Sequence, residues 1–139
     1  MSRKVLVLGA TGAMGKYLIP YLAEDGYEID AVSLDEQRYT FQNVKGIQGN
    51  VKEKMFLEEL LANQYDAIVD FMIYSTKDIA YFLPRMLNRT GHYIYLSSYR
   101  IYDNKEHPVR ETSPRLLDTA DSIICLLYTS DAADDSLRV

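Results

Sequence analysis

A doubly wound α/β sheet is the fold that this 139-residue sequence predicts. Short apolar runs alternate with segments of helical apolar spacing, which is the pattern of a parallel sheet covered by helices on both faces. The first run ends in a glycine-rich turn that leads straight into a helical pattern. Five runs recur at this spacing, and right-handed crossovers then give the strand order 3-2-1-4-5.

The first strand is expected over about Lys4–Leu8, an apolar stretch with β-branched members. A helix from about Ala13 to Asp25 follows, and Gly26 suits its C-terminal cap. Pro20 lies inside that helix and costs it a backbone hydrogen bond or a kink. The second strand is Glu28–Ser33, and the third is Val44–Gln48, ended by Gly49-Asn50. Phe56, Leu57, Leu60 and Leu61 share one face of a helix over about Lys52–Asn63. The fourth strand is expected over Ala67–Met72. Ser75-Thr76-Lys77-Asp78 resembles a capping box and opens a helix to about Asn88. Gly91 is expected to close that unit before a fifth strand over His92–Ser97.

The composition narrows the class. Hydrophobic residues make up 47% and charged residues 25%, ordinary values for one globular domain with a real core. Twenty acidic against 15 basic residues give a net charge of -5, which argues against nucleic acid as a partner. No apolar run approaches the roughly 18 residues that span a bilayer, so no membrane association is expected. Arg3 and Lys4 precede an apolar stretch too short for a signal peptide. A single cysteine, Cys125, excludes a disulfide framework and a cysteine-based metal site. His92 and His107 have no partner at metal-ligand spacing, so no metal is expected. A cytoplasmic protein fits these features.

Val5–Leu8 followed by Gly9-Ala10-Thr11-Gly12-Ala13-Met14-Gly15 carries the functional signal. A strand, a glycine turn and a helix N-terminus together form a site for a dinucleotide pyrophosphate, because backbone N–H groups and the helix dipole both face the anion. Gly9 permits the tight turn. Gly12 lets the backbone approach the phosphates, and Gly15 lets the helix pack closely. Gly9, Thr11, Gly12, Ala13, Met14 and Gly15 are therefore candidate cofactor-binding residues of a Rossmann-type domain.

Strand five reads Tyr93-Ile94-Tyr95-Leu96-Ser97-Ser98-Tyr99-Arg100-Ile101-Tyr102. It resembles the segment of extended short-chain dehydrogenases/reductases that delivers a catalytic serine, with a tyrosine four residues later. The glycine spacing is the same family's. Gly49-Asn50-Val51 looks like its adenine-contacting turn, and Glu111-Thr112-Ser113-Pro114 like its Glu-x-x-Pro stretch. The resemblance covers the N-terminal half of such an enzyme, about Met1–Ile124, and is greatest to the NAD-dependent epimerase/dehydratase group. It implies hydride transfer at a carbonyl or carbinol carbon, with NAD as cofactor and a small-molecule substrate such as a nucleotide sugar. It also implies homodimerisation of the parent enzyme. Ser98 takes the serine role, holding the substrate oxygen, with Ser97 as its neighbour. Asn50, Val51 and Met72 fall where the family's chain passes the cofactor. Ser33 stands where the family's ribose-binding acid often sits. Asp35 suits NAD, whereas Arg38 leaves NADP open.

The family's base is a tyrosine in Tyr-x-x-x-Lys, whose lysine lowers the phenol's pKa. That pair is missing after Ser98: Tyr128 is followed four residues later by Ala132. Cys125-Leu126-Leu127-Tyr128-Thr129-Ser130-Asp131-Ala132-Ala133-Asp134-Asp135 resembles the translation of a transposase sequencing adapter. An incomplete dinucleotide-binding domain over 1–124, truncated after about five strands, and a non-native tail over 125–139 are therefore expected, with no turnover by the chain itself. Two rivals stay open: a non-catalytic Rossmann-fold protein that senses nucleotides or binds RNA, and a reductase acting on a non-sugar carbonyl.

Overall fold

A computed structural model describes residues 2–97, 102 and 106–115. The elements are β1 (Lys4–Leu8), α1 (Gly15–Glu24), β2 (Glu28–Ser33), β3 (Val44–Gln48), α2 (Lys54–Leu60), β4 (Tyr65–Asp70), α3 (Thr76–Leu87) and β5 (Thr90–Tyr95). All strand pairings are parallel, in the order β3-β2-β1-β4-β5, as expected from the sequence. Ser98 and residues 116–139, with the whole stretch read as adapter, lie outside the described residues.

The described residues fall into two compact units. The first, residues 2–72 with Leu83–Leu96, holds the sheet. Alternation along the strands gives it two apolar layers. Val5, Val7, Ile29, Ala31 and Val69 pack with Ile19 and Ala23 of α1. Leu6, Leu8, Val32 and Ile68 alternate with these and are also fully buried, so β1 is apolar on both faces, as the central strand of a parallel sheet must be. Asp30 also alternates with the α1-facing residues. It pairs with Lys4 Nζ at 3.2 Å and accepts a 2.8 Å hydrogen bond from the Tyr65 hydroxyl, which lies 3.4 Å from the Leu60 carbonyl oxygen of α2. β5 ends the described sheet, and its Ile94 is 43% exposed.

In the second unit, Tyr74 and Phe82 are buried with ring centroids 5.8 Å apart, and Tyr81 meets Phe82 edge-on. The Ser113 hydroxyl donates to Glu106 and accepts from the Arg110 amide. Tyr102 makes an isolated antiparallel bridge with Arg115.

Several boundaries differ from those read in the sequence. β4 and β5 each begin and end two residues early, because pairing with β1 stops at Leu8↔Asp70 and pairing with β4 stops at Asp70↔Tyr95. Gly91 does not close the preceding unit. It lies inside β5, where a Cβ would come no nearer than 3.6 Å to the Asp66 carbonyl oxygen. α2 is shorter than the expected 52–63, because Asn50 Oδ1 accepts from the Lys52 amide and holds residues 50–52 in a turn. α1 starts at Gly15 rather than Ala13 and runs through Pro20 without interruption. Gly26 has φ +86°, the left-handed conformation expected of it.

Burial, then the Asp30 carboxylate that accepts its hydrogen bond, pushes the Tyr65 phenol well above the ordinary tyrosine value. Burial and then Asp70 do the same for Tyr93. The folded state thus holds these protons more tightly than the unfolded chain, so stability is full below about pH 10 and falls as pH rises beyond it. Chemical denaturation between pH 8 and 12 should show that decline, and Tyr65→Phe should flatten it. Tyr65→Phe should also cost about 1–3 kcal/mol at pH 7, because Asp30 loses its buried donor.

Candidate functional site

The turn after β1 is built by close backbone contacts. The amides of Gly9 and Ala10 both donate to the Val32 carbonyl oxygen, each at 3.0 Å, which ties the turn to the end of β2. Gly9 has φ +80°, where a Cβ is strained. The Gly12 amide donates to the Gly9 carbonyl oxygen at 3.2 Å and closes a short loop. Gly15 opens α1 directly against that loop. A Cβ there would lie 2.5 Å from the Ala10 carbonyl oxygen and 2.7 Å from that of Gly9. The third glycine therefore serves the turn itself, a closer constraint than the helix-to-sheet packing expected for it.

The mouth of the turn is open. Met14 caps α1 without a side-chain hydrogen bond, and the first turn carries no acidic residue. The amides of Thr11, Ala13 and Met14 have no backbone acceptor among the described residues. Thr11, Gly12, Ala13 and Met14 are all exposed. A Cβ on Gly12 would meet only the Gly9 carbonyl oxygen, at 3.3 Å. Unpaired N–H groups at a helix N-terminus, with no side chain in the way, have the donor chemistry of a diphosphate cradle.

A ring of hydrogen bonds joins this cradle to β2. The Asp35 amide donates to Ser33 Oγ at 3.1 Å, and the Ser33 and Thr11 hydroxyls are 2.6 Å apart. Thr11 Oγ1 donates to Asp35 Oδ2 at 3.1 Å. With Ser33 donating to Thr11, each hydroxyl gives one hydrogen bond and accepts one. Ser33 is buried and Asp35 exposed, so the ring presents a carboxylate to solvent beside the glycine turn. Arg38 is not brought in. Its guanidinium pairs with Glu36 at 3.5 Å, and both side chains are largely exposed.

The remaining expected residues are placed as follows. Met72 is half-buried, with its sulfur 3.6 Å from where a Cβ on Gly9 would stand, so it borders the turn. Val51 is buried. Asn50 uses its side-chain oxygen in the turn before α2. Ser97 is exposed and belongs to the second unit. The sequence reading passed over Asp70, which is fully buried, accepts from the Met72 amide at 2.9 Å and accepts from the Tyr93 hydroxyl at 2.6 Å. The available signal was an acid closing the apolar run Ala67-Ile68-Val69.

Residues 5–84, more than half of the chain, match the model of the NAD dependent epimerase/dehydratase family. The chain belongs to that family. Solved structures share the fold at low identity. An epimerase from Methanothermobacter thermautotrophicus is 16% identical with a TM-score of 0.66, over 97% of this chain and 47% of that one. A dTDP-glucose 4,6-dehydratase from Bacillus anthracis, in complex with NAD, is 16% identical with a TM-score of 0.63, over 95% of this chain and 49% of that one. The Bordetella bronchiseptica enzyme WbmH, in complex with NAD+, is 20% identical with a TM-score of 0.65, over 99% and 53%. The chain thus spans about half the length of these enzymes. No curated protein matches it.

The two glycines should separate on substitution. Gly15→Ala forces the Gly9–Ala10 backbone to move and should cost about 1–3 kcal/mol, as overpacking does. Gly12→Ala meets only the Gly9 carbonyl oxygen, at 3.3 Å, a tight contact that a shift of a few tenths of an ångström relieves, and should cost less than Gly15→Ala. Urea denaturation of the two variants at pH 7 checks the ranking.

Proposed function

We propose that this chain is the cofactor-binding part of an NAD-dependent epimerase, dehydratase or oxidoreductase, and that its glycine turn holds the NAD pyrophosphate. One observation carries the reading: a conformationally forced glycine turn, with free amides at a helix N-terminus, is tied by the Thr11–Ser33–Asp35 ring to an exposed carboxylate. Thr11, Gly12, Ala13, Met14 and Gly15 would hold the pyrophosphate. Asp35 would accept hydrogen bonds from the adenosine ribose, taking the acid's role from two positions beyond Ser33. The carboxylate disfavours the extra phosphate of NADP, and Arg38, engaged with Glu36, does not offset it. Asn50 and Val51 would border the adenine, and Met72 the other side of the crevice.

NAD bound there supplies a two-electron acceptor for a carbinol carbon. Ser98 is the residue proposed to hold the substrate oxygen, with Ser97 beside it. The substrate is proposed to be a nucleotide sugar, on the family's example, and the parent enzyme to be a homodimer. Without a Tyr-x-x-x-Lys pair after Ser98, the chain should bind cofactor and not turn over. A single cysteine and the acidic composition support a cytoplasmic setting.

Isothermal titration of the chain with NAD+ and NADP+ tests the reading. NAD+ should bind at least about tenfold tighter, the worth of roughly 1.4 kcal/mol from hydrogen bonds to a carboxylate. Asp35→Ala should bring the two affinities within about threefold of each other. Equal affinities in the unsubstituted chain, or tighter NADP+, would contradict the cofactor assignment.

A further inference from the structure

The crevice between the ends of β1 and β4 has two walls, and of the residues proposed to hold the dinucleotide only Met72 lies on the β4 side. A dinucleotide lying across this switch point places one nucleoside toward β2 and the other toward β4. On the β4 side the ladder ends in a particular way. The Phe71 amide still donates to the Leu8 carbonyl oxygen at 3.0 Å, and the Leu96 amide donates to the Asp70 carbonyl oxygen at 3.2 Å. The Met72 amide is the next donor along β4, and it turns back to the Asp70 carboxylate at 2.9 Å. That contact fixes the direction of the chain where Phe71 and Met72 pass Gly9: a Cβ on Gly9 would lie 3.3 Å from the Phe71 Cβ and 3.6 Å, an ordinary contact, from the Met72 sulfur.

Asp70 is itself held. Its other oxygen accepts from the Tyr93 hydroxyl at 2.6 Å, a short charge-assisted bond. Tyr95 stacks on Tyr93 with ring centroids 6.4 Å apart and planes 8° from parallel, so the phenol is braced along β5. Burial and Asp70 push the Tyr93 phenol up, which keeps it a donor across the physiological range. A fully buried carboxylate at a strand end is costly to keep, and it persists only where its partners repay the desolvation.

We infer that Asp70 is a positioning residue. Held by Tyr93, it fixes the Met72 backbone against Gly9 and so shapes the wall that receives the nicotinamide half of the dinucleotide, while leaving the adenosine half to Thr11 and Asp35. This rests on the dinucleotide reading above. It makes a claim that a merely structural role does not, namely that loss of Asp70 harms binding of the whole dinucleotide and spares the adenosine diphosphate half.

The test compares NAD+ and ADP binding by titration calorimetry in the unsubstituted chain, Asp70→Leu, Asp70→Asn and Tyr93→Phe. Asp70→Leu removes the acceptor, and it should weaken NAD+ about tenfold while ADP changes less than about twofold. Asp70→Asn retains one acceptor for the Met72 amide and should recover most of the NAD+ affinity. Tyr93→Phe should weaken NAD+ about threefold with ADP unchanged, and it carries the test should Asp70→Leu fail to fold. Equal weakening of both ligands, or no change in either, overturns the inference and leaves the dinucleotide reading intact. Failure of the unsubstituted chain to bind either ligand overturns both.

Discussion

The contact between Gly15 and the carbonyl oxygens of Gly9 and Ala10 is the constraint from which the site follows. Helix α1 begins so close to the end of β1 that no side chain fits between them. That closeness turns the Thr11–Met14 backbone outward and leaves the amides of Thr11, Ala13 and Met14 without a backbone acceptor among the described residues. Such a turn has a cost, with one residue in the left-handed region and several donors unpaired at a helix end. Two amide bonds from Gly9 and Ala10 to Val32 hold it in place, so the register of β2 on β1 is part of the site as well as of the core.

The same register explains why the acid is two residues late. Ser33 is the last residue of β2 and buried, and a carboxylate there would lack the exposure that Asp35 has. The hydroxyl instead relays between Thr11 and Asp35, closing a ring that links the turn to the following loop. On the other side of the crevice, Asp70 shows the complementary arrangement, with a buried carboxylate whose partners include the Tyr93 phenol and the Met72 amide. One acid is presented to solvent while the other is withdrawn, and each sits at the C-terminal end of a strand, where an open α/β sheet offers its ligand crevice.

Much of this was legible in the sequence. Apolar runs marked β1, β2 and β4, which are buried over most of their length; the even spacing of the runs marked β3 and β5, both partly exposed, and the right hand of the crossovers gave the order. The glycine turn was legible because each glycine answers a backbone demand. Element ends were less so. Phe71 and Met72 are apolar and extend the look of β4, yet pairing stops at Asp70, a fact of register that a single strand does not carry. Gly91 reads as a breaker and sits in the last strand of the described sheet, where there is room for it. The hydroxyl ring and the Asp70–Tyr93 pair join residues 22 and 23 positions apart, so only the folded chain reveals them.

Backbone amide NMR during NAD+ titration addresses the central claim most directly. The largest shifts should fall on Thr11, Gly12, Ala13, Met14 and Gly15, with Asp35 following. The Lys4–Asp30–Tyr65 cluster belongs to the packed sheet and should stay still. Shifts centred on that cluster, or a glycine turn that does not respond at saturating NAD+, would contradict the assignment of the turn as the dinucleotide site.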